Sequence, residues 1–196
     1  LLEPLLSLVI ATGLLLGSPG PAPLALAATG AIYGVKRGTP FLLGILSGLS
    51  FAIIGATAGL AALFASFPNI KTTFQLLGAV YIAYLACKIA SAPVVASNAF
   101  QSAPGFKDGF ILNLLNPKAY AAFLAIFSQF LLPFEDSAVG YIITGITCLL
   151  VATVVDALWL CLGGILKPVF SHPIQARVIR IAFALLMLGA VIYALV

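Results

Sequence analysis

The chain is short of charge. Of its 196 residues only 7% are Asp, Glu, Lys or Arg, and five are acidic; a soluble domain carries about 25% charge. So few charges cannot clothe a water-facing surface, which excludes a soluble globular fold. Histidine occurs once and cysteine three times, at Cys87, Cys148 and Cys161. Their spacing gives no CxxC and no paired ligand sets, so neither a disulfide framework nor a zinc site is expected. Each cysteine lies in an apolar stretch and reads as a packing residue. GxGxxG, Walker, HExxH and nucleophile-elbow motifs are all missing. ATPase and hydrolase chemistry therefore has no support, no cofactor is expected, and the chain does not read as an enzyme. The N-terminal stretch has Glu3 as its only charge. It lacks the basic region and small-residue cleavage site of a secretory signal.

What is present is apolar: 63% of the residues are hydrophobic and the mean hydropathy is +1.22. A spanning helix needs roughly 20 apolar residues, so the chain holds about six spans and little else. The expectation is an all-α integral membrane protein. Transmembrane strands alternate over roughly 10 residues, whereas these runs are continuously apolar. Helix breakers and charges place the spans near residues 5–35, 39–64, 72–90, 109–132, 139–166 and 178–196. A net charge of +4 in such a chain reads as topology, not as a nucleic-acid surface. With the N-terminus outside, the inner ends receive Lys36, Arg37, Lys88, Lys107, Lys167, Arg177 and Arg180, and the outer ends only Lys71. The basic-inside rule then puts both termini outside.

Two segments echo each other: "LLGAVYIAYLA" (76–86) and "MLGAVIYALV" (187–196). Each half also opens with a proline-broken span. The expected organisation is one transporter domain, 1–196. It comprises a three-helix repeat (1–90), a cytoplasmic loop (91–108) and a second, inverted three-helix repeat (109–196), the design of many secondary transporters. Gly30, Gly34 and Gly38, and Gly44, Gly48, Ala52, Gly55 and Gly59, recur at four-residue spacing, which lets helix backbones approach closely.

The breaks carry the chemistry. "SPGPAP" puts Pro19, Gly20, Pro21 and Pro23 in one run. Prolines free backbone carbonyls, and in lipid each unsatisfied group costs several kcal/mol unless protein or a water-filled cavity takes it. The second half-helix would present its N-terminal end to a carboxylate. "NLLNPKAY" repeats the device, with Asn113, Asn116, Pro117 and Tyr120; its amides suit either freed backbone groups or a polar ligand. Lys118 falls near the membrane midplane, where a lysine costs about 2.5–3.5 kcal/mol. Asp156 is the one acid well inside a span and the natural partner for Lys118. The pair reads either as glue between helices or as the lining of a polar cavity.

The stretches 18–38, 76–90 and 109–133, with "VVDALW" (154–159), resemble the LysE/RhtB amino-acid exporter family over nearly the whole chain. The third-span ending resembles the branch that exports cysteine and related amino acids. The resemblance implies a six-helix exporter in the bacterial inner membrane, with periplasmic termini. It implies efflux of an amino acid or derivative, driven by proton antiport with alternating access. Pro19, Gly20, Pro21, Asn116, Pro117, Lys118 and Asp156 are the residues it implicates; Asn113 joins them from the residue reading. The expected partners are substrate, protons and lipid, with a homo-oligomer left open, and the two halves are expected to rock against each other. One departure is Leu49 in "SGLSF" (47–51), where many members carry an acid. A single intramembrane acid suits a zwitterion better than a cation. The alternative is a divalent metal-ion exporter of the same superfamily, though metals want several oxygen or sulfur ligands.

Overall fold

A computed structural model describes residues 2–57, 102–166 and 172–195, with isolated positions between 59 and 91. The expected third span, 72–90, lies largely outside the described residues. Among them the chain is helical, without strands: α1 (Leu2–Gly17), α2 (Pro21–Tyr33), α3 (Val35–Thr57), α4 (Phe106–Leu114), α5 (Pro117–Gln129), α6 (Ser137–Leu166) and α7 (Pro173–Leu195). Of these, α3 and α6 are each long and apolar enough to cross a membrane; counting each bent pair as one span makes four. The bent pairs are α1 with α2, at 67°, and α4 with α5, at 57°. At 1.5 Å per residue α1, the longest member of either pair, measures only about 24 Å, short of a hydrocarbon core of about 30 Å.

Several boundaries differ from expectation. The second span starts at Val35, not near residue 39. Gly34, at φ 86°, takes the whole turn from α2 into α3 and donates its N–H to the Gly30 carbonyl. A side chain at that φ would be strained. The helix α4 starts at Phe106, inside the stretch expected to be a loop, because the Asp108 carboxylate accepts the Gly105 N–H at 2.8 Å.

α2 lies at the centre. Every residue from Pro21 to Ala31 is buried, and the helix is apolar on all sides, as a surrounded helix must be. Around it the outer surface is greasy. Leu2, Leu6, Ile10 and Leu14 form an exposed row on α1; Ile142, Ile146, Leu150, Val154, Leu158 and Leu162 do so on α6. Such rows at four-residue spacing are far too large for a water-facing monomer and fit lipid.

The glycine stripes act where helices cross. A Cβ on Gly30 would strike the Leu160 carbonyl, and one on Gly163 the Ala27 carbonyl, so α2 and α6 touch backbone to backbone. The same reciprocity joins Gly44 to the Phe106 carbonyl and Gly109 to that of Phe41, locking α3 onto α4. Among the described residues Gly59 makes no such contact. Both locks join a helix that precedes residue 58 to one that follows residue 105, so segments distant in sequence interleave.

Candidate functional site

Pro19, Pro21 and Pro23 have no N–H to give to the carbonyls of Leu15, Gly17 and Pro19, four residues back. α1 therefore stops at Gly17. Side chains replace the lost donors at two of these carbonyls. Leu15 accepts from the Ser18 hydroxyl at 3.1 Å, and Gly17 from Trp159 Nε1 on α6 at 3.1 Å. The carbonyl of Ser18 accepts from Lys118 Nζ at 2.5 Å. Ser18 and Pro19 are exposed, while Gly20 and Pro21 are buried.

The second break closes itself. Pro117 leaves the Asn113 carbonyl without its helical donor, and the Asn116 N–H takes it at 3.1 Å. Asn116 precedes a proline and is pushed out of the helical region, to φ −80°, ψ 106°. There it caps α5: its Oδ1 accepts the Lys118 N–H at 3.1 Å. The Leu114 carbonyl, bypassed by that bond, accepts from the Tyr120 hydroxyl at 2.7 Å. Asn116 Nδ2 donates to Asn113 Oδ1 at 3.2 Å, and Asn113 Nδ2 to the Ile45 carbonyl of α3 at 3.0 Å. Asn113 and Asn116 are 2% and 4% exposed. Both amides are thus engaged with backbone and with each other.

Lys118 links the two breaks. Its backbone belongs to the cap of α5, while its side chain lies against Gly20, where a Cβ would come within 3.0 Å of Nζ. Gly20 is the N-cap of α2, so the ammonium sits between the positive end of the α2 dipole, unfavourable for a cation, and the Ser18 carbonyl just past the negative end of α1. Asp156 on α6 is 7% exposed and within Coulombic reach of Lys118. The direct ion pair expected between them is not formed; the ammonium contacts the Ser18 carbonyl instead. The α2 end is also a weaker amide cradle than the sequence suggested. Of its first three residues only Ala22 carries an N–H, and Leu24 donates to Gly20.

The family model for LysE type translocators matches residues 14–196. The chain belongs to this family. Members of this family are membrane transporters and not enzymes. A leucine efflux protein of Enterobacter sp. (strain 638) is 31% identical over 144 residues, covering 70% of this chain and 65% of its own length. A cysteine/O-acetylserine efflux protein of Salmonella choleraesuis is 28% identical over 172 residues, 87% of this chain and 86% of its own. A homoserine/homoserine lactone efflux protein of Salmonella typhimurium is 26% identical over 171 residues, 85% and 83% of the two chains. The chain thus spans 65% of the leucine efflux protein's length and more of the other two. No solved structure matches it.

In this LysE type translocator, then, Gly20 and Lys118 meet, with Asp156 nearby; Asn113 and Asn116 stand behind them in the second break. Leu49 is buried in the core beside Leu8 and Ala52, so no second acid enters from α3. Trp159, which ends the "VVDALW" stretch, has no role assigned from the sequence, yet it donates to the Gly17 carbonyl at the first break. Its signal was the three-residue spacing from Asp156, which puts both on one helix face. Gln129, at the end of α5, and His172, the one histidine, are exposed. Among the cysteines Cys148 is buried against Thr12, while Cys87 and Cys161 are exposed.

Proposed function

We propose that the chain exports a zwitterionic amino acid or amino-acid derivative across a bacterial inner membrane, by proton antiport with alternating access. The observation that carries this reading is the position of Lys118. Its ammonium and the α2 dipole end put two positive features together, with Asp156 in reach but not bound. An anion between Lys118 and Ala22 would relieve the repulsion, and Asp156 would take the substrate ammonium. A substrate carrying both charges fits such a pair of subsites. Protonation of Asp156 would then release the ammonium, and loss of that proton on the other side would ready the carboxylate for the next substrate. Pro19 and Pro21 keep the α2 end open, Gly20 admits the Lys118 side chain, and Asn113, Asn116 and Pro117 hold Lys118 in place. The names of three relatives, efflux proteins for amino acids or close derivatives, support the substrate class.

The architecture in this reading is six spans in two inverted halves, with both termini periplasmic. It is supported by the two bent pairs, each followed by a long apolar helix. Each pair counts as one broken span. Nonhelical backbone at that depth is tolerated where it is buried or lines a water-filled cavity; exposed Ser18 and Pro19 suit a crevice. The glycine locks bear on the motion. Rocking residues 1–90 against 109–196 would tear both α2 from α6 and α3 from α4. The moving bodies are therefore the locked pairs, sliding past each other beside the first break. For a metal-ion exporter the support is missing: among the described residues no three His, Cys, Asp or Glu side chains gather.

The test is efflux from proteoliposomes loaded with labelled amino acids and their acetylated derivatives, with and without an imposed proton gradient. Wild type should lose one or a few zwitterions, gradient-dependently. Folded Lys118→Ala and Asp156→Asn proteins should not. Equal flux in folded mutants would overturn the assignment.

A further inference from the structure

A groove of about 520 Å³ lies at the opposite end of α2 from the break, lined by Tyr33, Gly34, Val35, Lys36, Arg37, Cys161, Gly164 and Ile165. We propose that it binds one anionic glycerophospholipid, with the phosphodiester on Lys36 and Arg37 and an acyl chain along Cys161 and Ile165. Four observations carry this. None of the lining residues is acidic, and two are cations. Both cations are exposed, and neither has a hydrogen-bond or salt-bridge partner among the described residues. Apart from the half-buried Tyr33, the other side chains of the groove are apolar or a thiol and face outward: Ile165 is 73% exposed, Val35 39%, and Cys161 is exposed.

The fourth observation is depth. Lys36 and Arg37 open the candidate span Val35–Thr57, and Ile165 closes the candidate span Ser137–Ile165. Both span ends come together here, at the level where lipid headgroups lie. A basic pocket between helices at that level is the setting in which phospholipid headgroups bind. A soluble anion would use the cations but not the greasy wall, and a neutral lipid the wall but not the cations; an anionic lipid uses both. The groove is separate from the Lys118 and Asp156 site, so the proposal does not depend on the transport reading.

The full chain, purified in a zwitterionic detergent, would be titrated with dioleoylphosphatidylglycerol, dioleoylphosphatidylcholine and glycerol 3-phosphate. Retention would be read by native mass spectrometry. Phosphatidylglycerol should be retained over phosphatidylcholine. The K36Q/R37Q double variant should weaken that retention about thirtyfold, given roughly a factor of five to six per basic side chain near a lipid phosphate. K107Q, at an exposed lysine elsewhere, should leave it unchanged, and melting curves should show both variants folded. Three outcomes would overturn the proposal: equal retention of the two lipids, a loss in K107Q as large as in the double variant, or glycerol 3-phosphate displacing the lipid at equal concentration. A further variant, C161E, keeps both cations and charges the apolar wall; unchanged phosphatidylglycerol retention in folded C161E would likewise overturn it.

Discussion

The two breaks solve one problem in different ways. At Asn113–Lys118 the replacements for the lost helical bonds come from within eight residues: Asn113, Asn116 and Tyr120, with only the Ile45 carbonyl contributed from afar. At Gly17–Pro21 they come mostly from other helices, Lys118 being 100 residues away and Trp159 142. A locally closed break is a fixed part. A break closed from two other helices changes whenever those helices move. Under the proposed function, that difference suits the second break to holding Lys118 and the first to opening and closing around a substrate.

The comparison can be broken most severely through the helix packing that both breaks share. Gly109→Leu drives a side chain into the Phe41 backbone. It should cost about 3 kcal/mol or more, read as loss of monodisperse protein or a large fall in melting temperature. Next comes the second break. Asn113→Leu or Asn116→Leu leaves a buried partner unsatisfied and should cost about 1–3 kcal/mol each. Because they share one chain of bonds, the double variant should cost less than the sum of the two. If the losses were additive, the self-closing network would be wrong.

The first break should respond more in transport than in stability. Trp159→Phe keeps an aromatic six-membered ring but loses the pyrrole ring with its bond to the Gly17 carbonyl, the bond at about 1 kcal/mol. Its efflux rate should fall by more than its melting temperature implies, while the Asn variants that still fold should show the reverse. The smallest effect should have the opposite sign. Thr29, buried on α2, has a hydroxyl with no hydrogen-bond partner among the described residues. Thr29→Val removes that unpaired group, and thermal unfolding should show a gain of up to about 1 kcal/mol with efflux unchanged.

Much of this was legible because the constraint is chemical and local. A chain with 7% charged residues has one solvent open to it, and in lipid each backbone group must be satisfied inside the segment or by its neighbours. Long apolar runs therefore give helices, and runs of proline give breaks at the residues where the chain bends. Lys118 and Asp156 stood out for the same reason: a charge at depth must be offset. What the residues alone could not fix was which group takes which. The lysine was expected on Asp156, but its ammonium contacts the Ser18 carbonyl, because the packing of α5 against the first break delivers it there. The asparagines read equally well as ligand groups or backbone partners until the fold placed the Ile45 carbonyl beside them. The glycine spacing announced close packing, but not that the locks would join α2 to α6 and α3 to α4. Composition and local order decided the solvent, the helices and the breaks. The pairing of groups distant in sequence was decided by tertiary structure, because it depends on where helices cross.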